Sequence, residues 1–456
     1  MLLYDLIKMY NNSIFIFKKD LRLNDNTALE KAIKSSKKVH LCFFLEIGDG
    51  KIIPSKNQKL LDFTIEALEE INLQLNNHGK IYVFCSGIEK NLEKLIKKTK
   101  AEAVFFNKDY LSEVQYQEGD IRDTCNRMGV DVKVFFDSIL NPPNKVLKKD
   151  NSPYTVFTPF YKKASFFHIK EPMPLPAYNF SDEEIDDEKE QLQKLYSKGS
   201  KALTGRRKHA LQILNDKKTF INYDSDKDIP HLGATTMLSA YLNTGVVSIR
   251  EAFHLIEKNQ GMPNSLIRQL YWRDFWLYIA FHFPHVFNNA FHTKYNKIKW
   301  ENSREKFNAW KNGKTGFPIV DAAMMELNTT GFMHNRVRMV VASFLVKDLQ
   351  IGWRWGEKYF AEKLIDYDAA INNGNWQWAA STGCDAQPFF RVFNPWRQQE
   401  RFDPECKYIK KWLPDLKNFS SKEIHNHQKE ALSGYQQPIV VHKAEAEKAK
   451  AMFRSV

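Results

Sequence analysis

SIFIFKKDLRLNDNTALEKAIKSSKKVHLCFFL, Ser13 to Leu45, holds two short runs rich in β-forming residues, Ser13–Phe17 and Val39–Leu45, on either side of a more polar segment. Runs this short and this apolar fit strands covered on both faces, because a parallel sheet buried under helices has no polar face to alternate with. The pattern repeats at Ile81–Cys85, Ala103–Phe106 and Val132–Phe136, and segments between the runs, such as Leu61–Leu75, space their apolar residues at helical period. Strand and helix in alternation predict right-handed βαβ units around a parallel five-stranded sheet, a Rossmann-like α/β domain over residues 1–140. The six glycines of this region are scattered and never form G-x-G-x-x-G, so no dinucleotide site is indicated on the first βα turn.

Further along, Pro142, Pro143, Pro153, Pro159, Pro172, Pro174 and Pro176, followed by an acidic block at Asp182–Glu190, mark residues 141–200 as a connector. From 201 to 456 strand signals nearly vanish, and amphipathic stretches at Ser248–Lys258, Leu266–Phe281 and Asp321–Leu327 imply an all-α domain. A chain of 456 residues, 43% of them hydrophobic, exceeds one ordinary core and suits such a division. No apolar run approaches the roughly 18 residues of a membrane span. Met1–Tyr10 lacks the apolar stretch and cleavage site of a signal peptide, so a cytoplasmic protein without membrane association is expected, nucleoid-associated in a prokaryote or nuclear in a eukaryote. The five cysteines (Cys42, Cys85, Cys125, Cys384, Cys406) form no C-x-x-C pair and have no metal-ligand spacing; reduced thiols and no metal site are expected. The formal charge of +13 suits a polyanionic partner, and equally a lysine-rich surface kept soluble by charge.

All ten tryptophans lie between Trp272 and Trp412. Indole packs well, stacks on flat ligands and gives up electrons readily, so the concentration has either a packing or a π-ligand explanation. Within TGFPIVDAAMMELNTTGFMHNRVRMVVASF, Thr315–Phe344, the residues His334, Asn335, Arg336 and Arg338 open an otherwise apolar helical run, where two guanidinium groups need carboxylates or phosphates. LIDYDAAINNGNWQWAAS, Leu364–Ser381, supplies Asp366 and Asp368 and sets Asn372, Asn373, Trp376 and Trp378 around Gly374. Taken alone, that segment reads as a helix end with an Asn and Gly cap and two core indoles.

Taken together these segments resemble the flavin-binding domain of class I photolyases, in the photolyase and cryptochrome family. The resemblance continues through FNP at Phe393–Pro395, RFDPE at Arg401–Glu405, WLP at Trp412–Pro414 and PIVVH at Pro438–His442, and FKKDLRLNDNTAL at Phe17–Leu29 resembles the family's opening strand and loop. It spans nearly the whole chain, weakly in the connector. It implies FAD held within the helical domain, active in its reduced form. GATTMLSAYL, Gly233–Leu242, is similar to the family's phosphate-binding turn, with Thr235, Thr236 and Ser239 offering hydroxyls and Met237 and Leu238 beside them, although Thr235 and Thr236 are equally suited to plain N-capping. Tyr223 matches a position beside the same phosphates. The family often has arginine where Met237 stands. The resemblance further implies an Arg338–Asp366 ion pair beside the isoalloxazine, Tyr367 in the cofactor site, Asp368 at the ring's polar edge and Asn372 facing N5.

Trp376, Trp353 and Trp300 match the family's electron-transfer chain. Trp272 and Trp378 match the indoles that press on a flipped pyrimidine dimer, and Arg273, Asn335, Arg336, Met339 and Gln398 match lesion or DNA contacts. Gln269 stands where dimer photolyases generally carry a catalytic glutamate; glutamine there resembles (6-4) photolyases and animal cryptochromes. Those proteins, however, usually show a histidine pair where this chain has HNRVRM, His334–Met339. The expectation is therefore a monomeric deoxyribodipyrimidine photo-lyase acting on UV-damaged DNA, with an antenna chromophore, methenyltetrahydrofolate or a deazaflavin, on the amino-terminal domain. A cryptochrome-type photoreceptor without repair activity and a (6-4) photolyase are the alternatives.

Overall fold

Five strands form where the five apolar runs lie. The computed structural model describes residues 8–47, 53, 56–109, 112–197, 203–216, 221–261 and 264–456. Its strands β1 (Tyr10–Phe17), β2 (Ser36–Phe44), β3 (Ile81–Phe84), β4 (Ala103–Asn107) and β5 (Asp131–Phe135) are all parallel, in the order β3-β2-β1-β4-β5. The register sets Ile14 opposite His40 and Val104, so β1 is central and its Ile14–Phe17 segment is closed from water. β1 and β2 begin three residues before their apolar runs; Tyr10 pairs with Ser36, because ladder pairing is a backbone matter that the polar Asn11, Asn12 and Lys38 do not prevent. Four crossover helices, α1 (Thr27–Ser35), α2 (Gln58–Leu75), α3 (Ile88–Thr99) and α4 (Ser112–Met128), join the strands. α1 and α2 start where asparagine side chains, Asn26 and Asn57, accept hydrogen bonds from the backbone N–H three residues on.

Strand order reverses between β1 and β4, and the crevice expected there is filled by polar groups that satisfy one another. Asn107 Nδ2 donates to Asp20 Oδ2 at 2.6 Å and to Asn26 Oδ1 at 2.8 Å. At the other edge, the acidic block turns out to serve the sheet. The Glu188 N–H donates to the Val83 carbonyl at 2.6 Å, the Val83 N–H to Asp187 Oδ2 at 3.3 Å, and Cys85 N–H to the Glu188 carboxylate. The connector thus covers the edge strand β3 and removes an open ladder from the surface.

Contacts divide the chain into two compact units: Met1–Pro153 with Tyr161–Asn215 and Leu238–Phe281, and Tyr154–Phe160 with Asp216–Met237 and His282–Val456. Composition alone puts Leu238–Phe281 with the later helices, but an ion network groups it with the sheet. The helix Ile249–Gln260 opens with a capping box between Ser248 and Glu251, and its first turn carries Arg250. The Arg250 guanidinium donates to Asp25 Oδ2 at 2.9 Å and to Asp137 Oδ1 at 2.7 Å, while Arg22 pairs with Asp137 and donates to the Gly245 carbonyl at 3.1 Å. All four side chains are buried. Gly245, at φ +73°, comes so close to the chain that a Cβ would lie 2.2 Å from the Lys19 carbonyl oxygen, so no larger residue fits.

The second unit is helical. Its core gathers Trp310, Phe317, Met324, Val337, Phe344, Trp353, Phe360 and Trp376 from the helices Arg304–Lys311, Pro318–Thr330, Asn335–Ser343, Trp353–Lys363 and Ala369–Ala379 and the π-helical turn Phe344–Asp348. Among the described residues no helix is long and apolar enough to cross a membrane, and no three His, Cys, Asp or Glu side chains are grouped to hold a metal ion.

Burial alone would push the Asp137 carboxyl up, but Arg22 and Arg250 outweigh it and hold it well below the usual carboxylate range. Its contribution is complete above the unfolded value near 3.8 and is lost as pH falls below that. Replacing Arg250 by leucine takes the guanidinium from buried Asp25 and leaves Asp137 with Arg22 alone, and should cost about 3–5 kcal/mol. Urea unfolding at pH 7 checks the loss, and repeating it at pH 3 should show a smaller difference between variant and wild type.

Candidate functional site

The helix Asn335–Ser343 carries two arginines in the first turn of an apolar run. Val337, Val340 and Val341 are buried, whereas Arg336, Arg338 and Met339 are half-buried and Asn335 is exposed. His334 caps the helix, Nδ1 accepting from the Arg336 N–H at 3.2 Å. Both guanidinium groups find the carboxylates they need: Arg338 Nη2 donates to Asp366 Oδ2 at 2.9 Å and its Nε to the Met333 carbonyl at 2.7 Å, and Arg336 Nη2 lies 2.9 Å from Asp228 Oδ1. Each also lies over an aromatic ring, Arg338 over Phe332 at 5.3 Å and Arg336 over Phe402 at 4.2 Å. Burial, opposed by Asp228 and reinforced by the two arginines, lowers the His334 pKa to about 4, so its imidazole is neutral at pH 7.

Asp368 caps the helix Ala369–Ala379, accepting from the Ala370 and Ile371 N–H groups at 3.0 and 3.1 Å. Asn372–Gly374, which reads alone as a helix end, therefore lies within a helix, and its amides are engaged elsewhere. Asn372 Nδ2 donates to the Glu357 carbonyl at 3.0 Å and Asn373 Nδ2 to Glu357 Oε1 at 2.9 Å. One turn on, Trp376 is buried so tightly against Gly356 that a Cβ there would lie 2.1 Å from its ring. The helix Trp353–Lys363, which carries Gly356, also carries Trp353 in its first turn, and its capping residue Gly352 would hold a Cβ 3.4 Å from the Trp300 ring. Trp376 and Trp353 are buried and Trp300 half-buried, so a single helix organises the three indoles from the inside outward. Tyr367 and Trp378 pack as half-buried members at the edge of the same core.

The turn before Ser239 has two left-handed residues, Gly233 at φ +62° and Met237 at φ +50°. The short helix Ser239–Thr244 has Leu238 at its N-cap, so Thr235 and Thr236 precede the capping position and the simple capping reading does not hold for them. Tyr223, whose hydroxyl is pushed up to about 12 by burial and by Asp224 and Asp228, opens the helical turn Tyr223–Asp226. In the sheet-bearing unit, the helix Ser265–His282 exposes Gln269 and half-exposes Trp272, whose ring lies 5.7 Å from that of Trp276. The half-buried Arg273 donates from Nη1 to the Ser138 carbonyl at 2.7 Å and from Nη2 to that of Leu242 at 3.3 Å, which orients its guanidinium within its own unit. Gln398, on the helix Pro395–Phe402, is half-buried.

Sequence reasoning did not single out Asp228, Phe402 or Glu357, which hold Arg336 and the two asparagines. Nothing local marks them: Asp228 is one of several carboxylates in Asp224–Asp228, and Glu357 lies in an ordinary helical stretch.

Two family profiles match this chain, the FAD binding domain of DNA photolyase over residues 266–455 and DNA photolyase over residues 13–177. The chain is 34% identical over 469 residues to the deoxyribodipyrimidine photo-lyase of Alkalihalophilus pseudofirmus, covering 96% of this chain and 97% of that one. To the protein of that name from Escherichia coli K12 it is 33% identical, covering 94% and 95%. An archaeal photolyase from Sulfolobus tokodaii superposes with a TM-score of 0.89 at 37% identity, covering 98% of this chain and 100% of that one. A class III photolyase from Agrobacterium tumefaciens superposes with a TM-score of 0.89 at 31% identity, covering 100% and 99%. The chain belongs to the DNA photolyase and cryptochrome family.

Membership explains the donor set. The flavin of a photolyase presents an apolar ring face with alternating donors and acceptors along one edge. The helices Asn335–Ser343 and Ala369–Ala379 with the segment before the latter supply a guanidinium already oriented by a carboxylate, a second carboxylate, an amide and a buried indole. These residues fit FAD. The neutral His334 is the testable electrostatic feature of the group. A base with a lowered folded pKa gives stability that is full above its ordinary value of 6.5 and is lost as pH falls from there towards 4. The imidazole resonance of His334 should titrate near pH 4 by NMR, and His334→Asn, which keeps a capping side chain, should remove this part of the acid sensitivity in thermal melts between pH 4.5 and 7.

Proposed function

We propose that this protein repairs cyclobutane pyrimidine dimers in DNA by light-driven electron transfer from reduced FAD. The observation that carries the reading is the Asn372 amide. Its Nδ2 is committed to the Glu357 carbonyl, which leaves Oδ1 as the atom to present to a ligand. An acceptor at that point favours a ring nitrogen that carries a proton, the state of a reduced flavin, and unlike an aspartate it does so without titrating. Bound there and excited by blue or near-ultraviolet light, FAD would supply the electron that opens the cyclobutane ring and take it back afterwards.

The protein's own part is orientation and exclusion of water. Arg338, held by Asp366, and Asp368 would fix the ring's polar edge with Tyr367 beside it, and Thr235, Thr236, Ser239 and the backbone of Met237 and Leu238, near Tyr223, would take the phosphates. A fused pyrimidine pair stacks poorly in duplex DNA, so extruding it costs less than extruding normal bases. Trp272 and Trp378 would press on the extruded pair, Asn335, Met339 and Gln398 would contact it or its backbone, and Arg336 would meet DNA only by sharing its charge with Asp228. Gln269 would donate to the dimer from its amide. Trp376, Trp353 and Trp300 would restore the reduced flavin after oxidation. The Sulfolobus tokodaii photolyase is described as holding two FAD molecules, with a novel light-harvesting cofactor implied. A second flavin therefore joins methenyltetrahydrofolate and deazaflavin as the antenna to look for in the amino-terminal domain, by chromatography of the chromophores released on heating.

The deciding experiment mixes reduced, FAD-loaded protein with oligonucleotides bearing either a cyclobutane thymine dimer or a (6-4) product, in light and in darkness. Light-dependent loss of the cyclobutane lesion alone is expected. Gln269→Glu, which adds a charge-assisted hydrogen bond of about 1–3 kcal/mol, should raise the yield. Repair of the (6-4) lesion instead would shift the assignment to that class, which Gln269 resembles, and bound, photoreducible flavin without any repair would indicate a photoreceptor.

A further inference from the structure

Trp376 has a second set of aromatic neighbours that the Trp353–Trp300 chain does not use. Trp310, fully buried, meets it edge to face with ring centroids 6.2 Å apart, and Phe360 lies against both, 5.0 Å from Trp376 and 6.2 Å from Trp310. Trp310 also stacks on Phe307 at 5.7 Å, and Phe307 meets Trp355 edge-on at 5.2 Å. Trp355, unlike Trp310 and Trp376, is only half-buried. We propose that Trp310 and Trp355 form a second electron-supply branch to Trp376, ending at Trp355, where the chain meets water. The proposal rests on the flavin reading above and adds to it a route of its own.

Local charge favours this branch. The Arg354 guanidinium lies 5.2 Å from the centre of the Trp353 ring, and a positive charge over that ring opposes an electron hole on it. Among the described residues no cation lies over the Trp310 ring; the Lys311 ammonium lies 5.6 Å from the centre of Phe307, a ring that bridges the two indoles and does not hold the hole. Its Nε1–H donates to the Val341 carbonyl at 3.1 Å, and a carbonyl does not take the proton. An oxidised Trp310 therefore stays a cation in apolar surroundings, which disfavours it as a resting place and suits it as a relay. Tyr359, also near Trp310 at 5.8 Å, is a poor terminus: its hydroxyl donates to Asn328 Oδ1 at 2.6 Å, again not a base, and Lys363 Nζ lies 5.6 Å from its ring. Trp355 can hydrate its charge and release its proton to water.

The oxidant is light-excited oxidised flavin. One electron passes to it from Trp376, one from Trp310 to Trp376, and one from Trp355 across Phe307 to Trp310. The net change leaves a single oxidised indole at Trp355, which loses its N–H proton to water and recovers an electron and a proton from an added thiol.

The test uses FAD-loaded protein with oxidised flavin and a thiol, following flavin photoreduction by absorbance and the tryptophanyl radical by time-resolved electron paramagnetic resonance. Trp310 is a core residue, so the variants are made at the half-buried Trp355 and Trp300, with thermal melts of the FAD-free proteins to confirm folding. In Trp300→Phe a radical signal and slower photoreduction should remain. In Trp300→Phe/Trp355→Phe both should fall to the level of Trp376→Phe. The branch is overturned if Trp300→Phe alone already falls to that level, or if the double variant photoreduces as Trp300→Phe does. Normal photoreduction in Trp376→Phe would instead remove the flavin-to-Trp376 step itself, and the branch with it.

Discussion

Arg250 reaches from the first turn of a helix late in the sheet-bearing unit to two carboxylates, Asp25 just after β1 and Asp137 just after β5, and Arg22 closes the circuit through Asp137. Four charges buried together gain little net stability, since the cost of drying them roughly cancels their attraction. What they fix is position. Each guanidinium is planar and forked, so Asp25 and Asp137 can be satisfied only with the helix Ile249–Gln260 in one place, and the backbone oxygens of Asp25 and Asp137 are enlisted in the same fork. The helix Ser265–His282, which carries Gln269 and Trp272, is tied in the same unit by similar logic: Asp274 accepts from the Leu140 N–H at 2.7 Å, and Arg273 spends its donors on the carbonyls of Ser138 and Leu242. Residues proposed to meet a lesion thus stand on a helix whose register polar contacts have already set.

The helical unit uses the same device around the residues proposed to hold the flavin. Arg338 is oriented by Asp366, the Asp368 carboxylate by two helix N–H groups, and the Asn372 amide by a carbonyl on a neighbouring helix. Each of these groups is held in place by the protein itself. A site whose dipoles are fixed in advance does not reorganise when charge shifts on its ligand, which is the property electron transfer needs. Neutrality of His334 belongs to the same pattern, because burial first, and then Arg338 and Arg336, oppose a cation there.

What could be read in the sequence divides along physical lines. The strands β1 to β4 announce themselves as short apolar runs and the half-buried edge strand β5 as one interrupted by Lys133, so all five were legible, while the starts of β1 and β2 at Tyr10 and Ser36 were not, because hydrogen bonding extends past hydrophobicity. The acidic block looks like solvated charge, yet Asp187 and Glu188 serve the N–H groups of β3; no local signal distinguishes a carboxylate facing water from one facing a strand edge. Arg336 was legible as a charge that needs a partner, but the choice of Asp228 among its neighbours is a fact of folding. Arg273 is a second such case: nothing local in the sequence tells that its Nη1 and Nη2 reach the carbonyls of Ser138 and Leu242.

Trp310 is the hardest case. Its burial and its stacking on Phe307 and Phe360 make it, by packing alone, an ordinary core residue. Core packing and electron relay ask for the same thing, large polarizable rings in close contact without water between them, so the one does not argue against the other. What separates them is the charge around each ring and the fate of each proton. Trp353 lies under a guanidinium, Trp310 gives its proton only to a carbonyl, and Trp355 alone on this branch combines an oxidisable ring with access to water. Any dense aromatic core beside a photo-oxidant carries such side routes, and the placement of cations and proton acceptors decides which of them can hold a hole long enough to matter.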